Sequence, residues 1–122
     1  MIGVLSSATL LKAAAILGAS GIGLGAFGGH ALKRTADSVQ IETWQTAVMY
    51  QLIHAVAILT LASSLSLSTR NNLAGTLMLY GTLCFSGSLY LLVYTGRKFG
   101  YLGLITPIGG LLFIGGWLAL LL

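Results

Sequence analysis

Residues 18 to 29 read GASGIGLGAFGG and lie inside a run of 20 residues, 13 to 32, that contains no charged side chain. In a helix, at about 100° per residue, the small residues that share one face are Ala14, Gly18, Gly21, Gly25, Gly28 and Gly29. Because this face has almost no side chains, another helix can approach its backbone closely, and such contact drives helix association in lipid. The residues predicted to carry this helix-packing surface are Gly18, Gly21, Gly25 and Gly29. Packing within the chain and packing against a second copy both stay open.

Three more uncharged runs follow the first one along the chain. They cover residues 43 to 69, 71 to 96 and 99 to 122 and contain 27, 26 and 24 residues. A helix rises about 1.5 Å per residue, so about 20 apolar residues cross a hydrocarbon core about 30 Å thick. Consecutive apolar residues, as in 118 to 122, exclude the alternating pattern of a transmembrane barrel. The sequence predicts an all-α membrane protein, an antiparallel four-transmembrane-helix bundle in one domain (1–122), with helices at about 8–32, 39–68, 72–95 and 101–121.

The composition agrees with this interpretation. Hydrophobic residues make up 57% of the 122 and charged residues only 7%, against about 25% charged in a typical globular protein. An ordinary soluble domain is therefore excluded, and membrane lipids are the expected surroundings. The formal net charge of +4 comes from residues that flank membrane helices, so it does not indicate nucleic-acid binding.

Two short signals predict where helices begin. Asp37 with Gln40 three residues later forms a capping-box pattern, which predicts that helix 2 begins near Ser38. Pro107 fits the first turn of helix 4, where its missing N–H costs little; a mid-helix kink is the alternative.

The distribution of lysine and arginine predicts the orientation. Four cations flank one side of the bundle, against two on the other: Lys33, Arg34, Arg97 and Lys98, against Lys12 and Arg70. The positive-inside rule then places both termini outside the cytoplasm, with a bacterial cytoplasmic (inner) membrane as the expected location. The aromatic residues expected at the two membrane interfaces are Trp44, Tyr94 and Tyr101 on the first side and Trp117 on the other.

A polar cluster is expected on helix 2, where Tyr50, Gln51 and His54 share one helical face. His54 lies about 18 Å along the helix from Glu42, at about 1.5 Å per residue, and therefore near the membrane midplane. An ionisable residue at that depth is a functional candidate because its burial is expensive. A hydrogen-bonded structural histidine and a ligand or proton role both remain open.

Small residues of the other helices also gather near mid-depth. They are Gly81, Ser86, Gly87 and Ser88 in helix 3 and Gly109, Gly110, Gly115 and Gly116 in helix 4. Close helix packing is the simpler interpretation, and a small cavity or a lipid-filled groove is the alternative.

No catalytic, cofactor or metal site is predicted. Residues 23 to 28 match a G-x-G-x-x-G pattern, but this dinucleotide signature requires a strand-to-helix turn, which an apolar helix does not provide. Ser86 or Cys84 with His54 would form a nucleophile and base, yet no orienting acid accompanies them. Zinc needs three or four ligands, more than Cys84 and His54 supply. We expect the protein not to be an enzyme.

Four segments resemble one known family. They are Gly25–Leu32 (GAFGGHAL), Trp44–Ala47 (WQTA) with Tyr50–Gln51 (YQ) and His54–Ala55 (HA), Phe85–Tyr90 (FSGSLY) and Thr106–Gly110 (TPIGG). Together they are similar to the domain of unknown function 423 family, which includes YgdD-like bacterial inner-membrane proteins and the eukaryotic transmembrane protein 256 relatives. The resemblance implies a small multi-pass membrane protein of uncharacterised function.

Two functions are compatible with these features. The first is a structural or accessory membrane component that packs through glycine faces, with a homo-oligomer or a larger membrane complex as its expected partner. The alternative is a small oligomeric transporter or channel with a polar path near His54, although none of the four uncharged runs contains an Asp or Glu.

Overall fold

The computed structural model of the protein describes residues 3–65, 68–96 and 98–122. Over these residues it has four α-helices: α1 (Ser7–His30), α2 (Ser38–Ala62), α3 (Thr69–Tyr94) and α4 (Ile105–Ala119). Short 3₁₀ helices follow α1, at Leu32–Arg34, and precede α4, at Gly100–Leu104. Four spans are long and apolar enough to cross a membrane. The prediction of an all-α four-helix membrane protein is therefore confirmed.

Side-chain caps start three of the helices. The Ser6 hydroxyl accepts from the Thr9 N–H at the start of α1, and the Ser68 hydroxyl accepts from the Asn71 N–H at the start of α3. At the start of α2, Asp37 accepts from the Gln40 N–H at 2.8 Å, and the Gln40 side chain accepts from the Asp37 N–H at 3.0 Å. The predicted capping box is therefore present, and α2 begins at Ser38 as predicted.

The other helix ends differ from the predicted bounds. Helix α2 ends at Ala62 rather than near residue 68, at the start of a serine-rich stretch whose hydroxyls compete with the backbone for helical hydrogen bonds. Helix α3 begins at Thr69 rather than 72, since Ser68 caps it, so Arg70 lies in its first turn. Residues 100 to 104 form a 3₁₀ helix instead of the start of α4.

Pro107 occupies the third position of α4. The first four N–H groups of a helix have no partner within it, so the proline leaves no intrahelical hydrogen bond unmade. The first-turn interpretation is therefore confirmed.

Helices α2 and α3 form the centre of the bundle, with α1 and α4 on either side. Residues near the end of α1 contact the start of α2, as the Trp44 hydrogen bond to Leu24 shows. Thr106 near the start of α4 is bonded to Ser88 near the end of α3. Helices that follow one another in the chain are therefore antiparallel. Helices α1 and α3 run parallel, with the Leu5 N–H donating to the Thr76 hydroxyl at 2.9 Å.

Two apolar clusters fill the interior. The larger joins α1, α2 and α3 and consists of Leu10, Ala14, Leu17, Ala55, Ile58, Ala62 and Met78. The smaller one contains Leu32, Trp44 and Val93. Many large apolar side chains point outward, including Ile22 and Leu111, both 68% exposed. Because lipid tails solvate these side chains as well as a core does, close packing and interhelical hydrogen bonds must hold the helices together.

Candidate functional site

The glycine face of α1 packs against α2 within the chain. A Cβ added at Gly21 would lie 2.7 Å from Leu52 Cδ2, and one at Gly25 would lie 3.3 Å from Val48 Cγ1. A Cβ at Gly28, which the prediction did not choose, would overlap the Trp44 indole. Gly18 and Gly29 were predicted to carry the packing, but a Cβ at either position would meet nothing within 4 Å. Within the chain, the glycines that pack against α2 are therefore Gly21, Gly25 and Gly28.

Trp44 fills the space that Gly28 leaves. Its Nε1 donates to the Leu24 carbonyl at 2.8 Å, and its ring centroid lies 5.5 Å from that of Phe27 and 4.7 Å from that of Tyr90. Only 4% of Trp44 is exposed. The indole N–H therefore finds its acceptor on a neighbouring helix, inside the bundle.

Helices α3 and α4 meet even more closely. A Cβ at Gly109 would overlap the Phe85 backbone nitrogen and lie 2.8 Å from its Cα. A Cβ at Gly81 would lie 2.8 Å from the Phe113 ring, and one at Gly116 would lie 2.8 Å from Met78 Cγ. Gly110, next to Gly109, would meet nothing. Close packing therefore accounts for one glycine of the Gly109-Gly110 pair.

Gln51 ties α2 to α1 and α3. Its Nε2 donates to the Leu17 carbonyl and to the Ser20 hydroxyl, both at 2.9 Å, and its Oε1 accepts from the Tyr90 hydroxyl at 2.7 Å. The Leu17 carbonyl accepts only, so it fixes which end of the amide is the nitrogen. Gln51 is 3% exposed, and three helices meet at its side chain.

His54 faces α4, away from the Gln51 contacts. Trp117 Nε1 donates to His54 Nε2 at 3.1 Å, and His54 Nδ1 lies 2.8 Å from the Tyr50 carbonyl. An indole N–H only donates, so Nε2 is the acceptor and the proton is on Nδ1, donating to Tyr50. The neutral ring stacks on Phe113, with centroids 3.7 Å apart and planes at 14°. This geometry supports the structural interpretation of His54.

The predicted cluster therefore divides into two separate sets of contacts. Tyr50 supplies a backbone carbonyl to His54, and its ring packs against Phe85 and Phe113 at centroid distances of 4.5 and 5.8 Å. The sequence pattern placed these residues on one face of α2 but gave no sign of Tyr90 or Trp117. Those partners lie 39 and 63 residues away in sequence, beyond the reach of helical periodicity.

Ser86 and His54, considered from sequence as a nucleophile and a base, are each hydrogen-bonded to other groups. The Ser86 hydroxyl donates to the Ala47 carbonyl at 2.7 Å, and both ring nitrogens of His54 are engaged elsewhere. Over residues 3–65, 68–96 and 98–122, every buried side-chain nitrogen and oxygen has a hydrogen-bond partner. In the same residues no three His, Cys, Asp or Glu side chains are grouped to hold a metal ion.

Several of these interhelical contacts come from the segments singled out in the sequence. The family model of DUF423, a protein family of unknown function, matches residues 24–110, which contain Gly28, Trp44, Gln51 and Gly109. The chain belongs to the DUF423 family. Family membership and the four apolar helices together make this a multi-pass membrane protein of unknown function.

Relatives extend the match over most of the chain. A UPF0382 membrane protein of Staphylococcus haemolyticus, SH2409, is 42% identical over 102 residues, 83% of this chain and 82% of the relative. The inner membrane protein YgdD of Escherichia coli is 36% identical over 119 residues, 96% and 89% of the two chains. The membrane protein C1782.12c of Schizosaccharomyces pombe is 36% identical over 118 residues, 93% and 98% of the two chains. No solved structure matches this DUF423 chain.

Proposed function

We propose that this DUF423 protein is a structural or accessory component of its membrane that works through its outer surface and without catalysis. The supporting observation is that the polar side chains inside the bundle are used to join helices. Gln51 links α2 to α1 and α3, His54 links α2 to α4, and Ser86 links α3 to α2. A buried group committed to such bonds has no free proton to give to a substrate.

The same contacts weigh against the transporter alternative. A polar path near His54 needs side chains that face an open channel, whereas His54 stacks on Phe113 and Tyr50 packs against Phe85. We expect proteoliposomes with the purified protein to take up protons no faster than empty liposomes, and His54→Ala proteoliposomes to behave in the same way. A proton flux that requires His54 would favour the transporter instead.

We propose that membrane lipids, and a second copy or a larger membrane complex, are the partners, and that nucleic acid is not one. An accessory component has to associate with other membrane proteins. After extraction from native membranes with a lipid-retaining polymer, we expect each particle to hold more than one protein chain, counted by native mass spectrometry against the 12.7 kDa of a single chain. A strictly monomeric particle would contradict this association.

We propose a bacterial cytoplasmic (inner) membrane with both termini outside the cytoplasm. Lys33 and Arg34 lie where α1 ends and α2 begins, and Lys98 lies where α3 ends; Arg97, counted with them from sequence, lies outside the described residues. Lys12 and Arg70 lie near the starts of the parallel helices α1 and α3, at the opposite end. The positive-inside rule assigns the first end to the cytoplasm.

Cysteine labelling tests this orientation. In a Cys84→Ser background, Thr35→Cys and Ser63→Cys place a thiol at exposed positions on opposite ends of the bundle. We expect a membrane-impermeant maleimide added outside intact cells to label Ser63→Cys and to label Thr35→Cys only after the membrane is opened. The reverse pattern would invert the proposed orientation.

A further inference from the structure

A groove opens between α1 and α3, and its lining is mostly apolar with a small polar area at its floor. These two helices are joined near their starts, where the Ser7 hydroxyl donates to Asn72 Oδ1 at 2.9 Å, and lie apart farther along. The space between them is about 270 Å³. Its walls include Leu24, Leu83 and Gly87, and its floor includes Ser20, Gln51 and Tyr90.

The polar atoms at the floor of this groove can accept hydrogen bonds, but their own protons are already donated to other groups. Both Nε2 protons of Gln51 are used, on Leu17 and Ser20. The Tyr90 proton is used on Gln51 Oε1, and the Ser20 proton on the Ile16 carbonyl at 2.7 Å. Amide and hydroxyl oxygens each have two lone pairs, and the bonds above occupy only one on Gln51 Oε1 and one on Ser20 Oγ. The Tyr90 oxygen accepts from no other described residue.

We propose that this groove binds a lipophilic molecule with an O–H donor, an alcohol or a phenol, through those free lone pairs. The apolar walls suit a hydrocarbon body, and the floor selects the donor. The free lone pairs are complementary to an O–H donor, which a hydrocarbon tail lacks. An ether or ester of the same shape carries oxygen but no proton and would leave the acceptors unpaired.

Trp44 is a natural reporter for this groove. It donates to the carbonyl of Leu24, and its ring packs at a tilt against Tyr90; both of these residues line the groove. In a Trp117→Phe background, Trp44 is the only tryptophan of the sequence. Its quenching is measured in lipid nanodiscs titrated with a chain-brominated dodecanol, a chain-brominated alkylphenol and the methyl ether of each.

We expect each hydroxyl probe to quench at a lower mole fraction than its ether. Interhelical hydrogen bonds in membranes average about 0.6 kcal/mol and reach about 1.7, and 1.4 kcal/mol is a factor of ten. The expected preference is therefore about 3-fold to 16-fold for each bond gained. Whichever of the two hydroxyl probes is preferred more strongly shows whether the groove favours an alcohol or a phenol.

Two variants connect the preference to the groove. A Cβ at Gly87 would meet nothing within 4 Å, and Gly87 lines the groove, so the side chain of Gly87→Leu should occupy the groove and the preference is expected to vanish. Gly110→Leu adds the same bulk on α4, where a Cβ also meets nothing, and should retain the preference. Near-ultraviolet circular dichroism verifies that each variant is folded.

Ser20→Ala provides a second test if Gly87→Leu fails to fold. Without the Ser20 oxygen, one Gln51 N–H loses its acceptor and becomes a donor on the groove floor. The hydroxyl preference should then shrink toward equality with the ethers. The proposal is overturned by equal quenching from hydroxyl and ether probes in the parent, or by a preference that survives both Gly87→Leu and Ser20→Ala.

Discussion

Replacing Gly109 with alanine is expected to lower the free energy of unfolding by about 1–3 kcal/mol or more, the range for overpacked sites. The new Cβ would lie 2.7 Å from the Phe85 Cβ and 2.8 Å from its Cα, and would overlap its backbone nitrogen. Because these atoms belong to the backbone or are fixed to it, no rotamer change relieves the overlap. Helices α3 and α4 must move apart, which also strains the Ser88–Thr106 hydrogen bond of 2.6 Å.

Gly110→Ala is the matched control, since it makes the same chemical change one residue along the same helix. A Cβ at Gly110 would meet nothing within 4 Å, and alanine is the better helix former by about 1 kcal/mol. We expect unchanged or slightly raised stability in reversible unfolding with sodium dodecyl sulfate in mixed micelles. Equal losses for the two variants would mean that α3 and α4 do not meet at Gly109.

The helices themselves follow from features that are local in the sequence. The lengths of the uncharged runs predict the number of membrane-spanning helices, since a helix needs about 20 apolar residues to cross the hydrocarbon core. Asp37 and Gln40 fix the start of α2, since both partners of a capping box lie within one turn. The position of Pro107 predicts the first turn of α4, because a proline has no N–H and would leave a hydrogen bond unmade in the helix interior.

The site is harder to predict because its partners are distant in sequence. Periodicity put Gly28 and Gly29 on one predicted face, but Trp44 occupies only the Gly28 side. Trp117 has the pattern of an interface residue, and its 48% exposure agrees with that, yet its N–H is bonded to His54. Which face of a helix meets which neighbour depends on how all four helices pack, and no single run contains that information.

Gly28→Ala is expected to destabilise the junction between α1 and α2 by about 1–3 kcal/mol. The new Cβ would lie 2.6 Å from Trp44 Nε1 and overlap the neighbouring ring carbon. The indole is a rigid plane whose N–H is held by the Leu24 carbonyl, so relief requires breaking that bond. Gly29→Ala adds the same methyl where nothing lies within 4 Å, and it should be neutral within about 0.5 kcal/mol, as ordinary surface substitutions are.

A double-mutant cycle separates the Gly28–Trp44 contact from a general effect on α1. Trp44→Phe removes the Leu24 hydrogen bond, worth about 1 kcal/mol, and also reduces the volume opposite residue 28. In the Gly28→Ala/Trp44→Phe double variant the smaller ring leaves room for the methyl group. The combined loss should therefore be less than the sum of the single losses by about 0.5 kcal/mol or more, as expected for residues in contact. Additive losses would show that the alanine acts elsewhere on α1, and then the seating of Trp44 against Gly28 would be wrong.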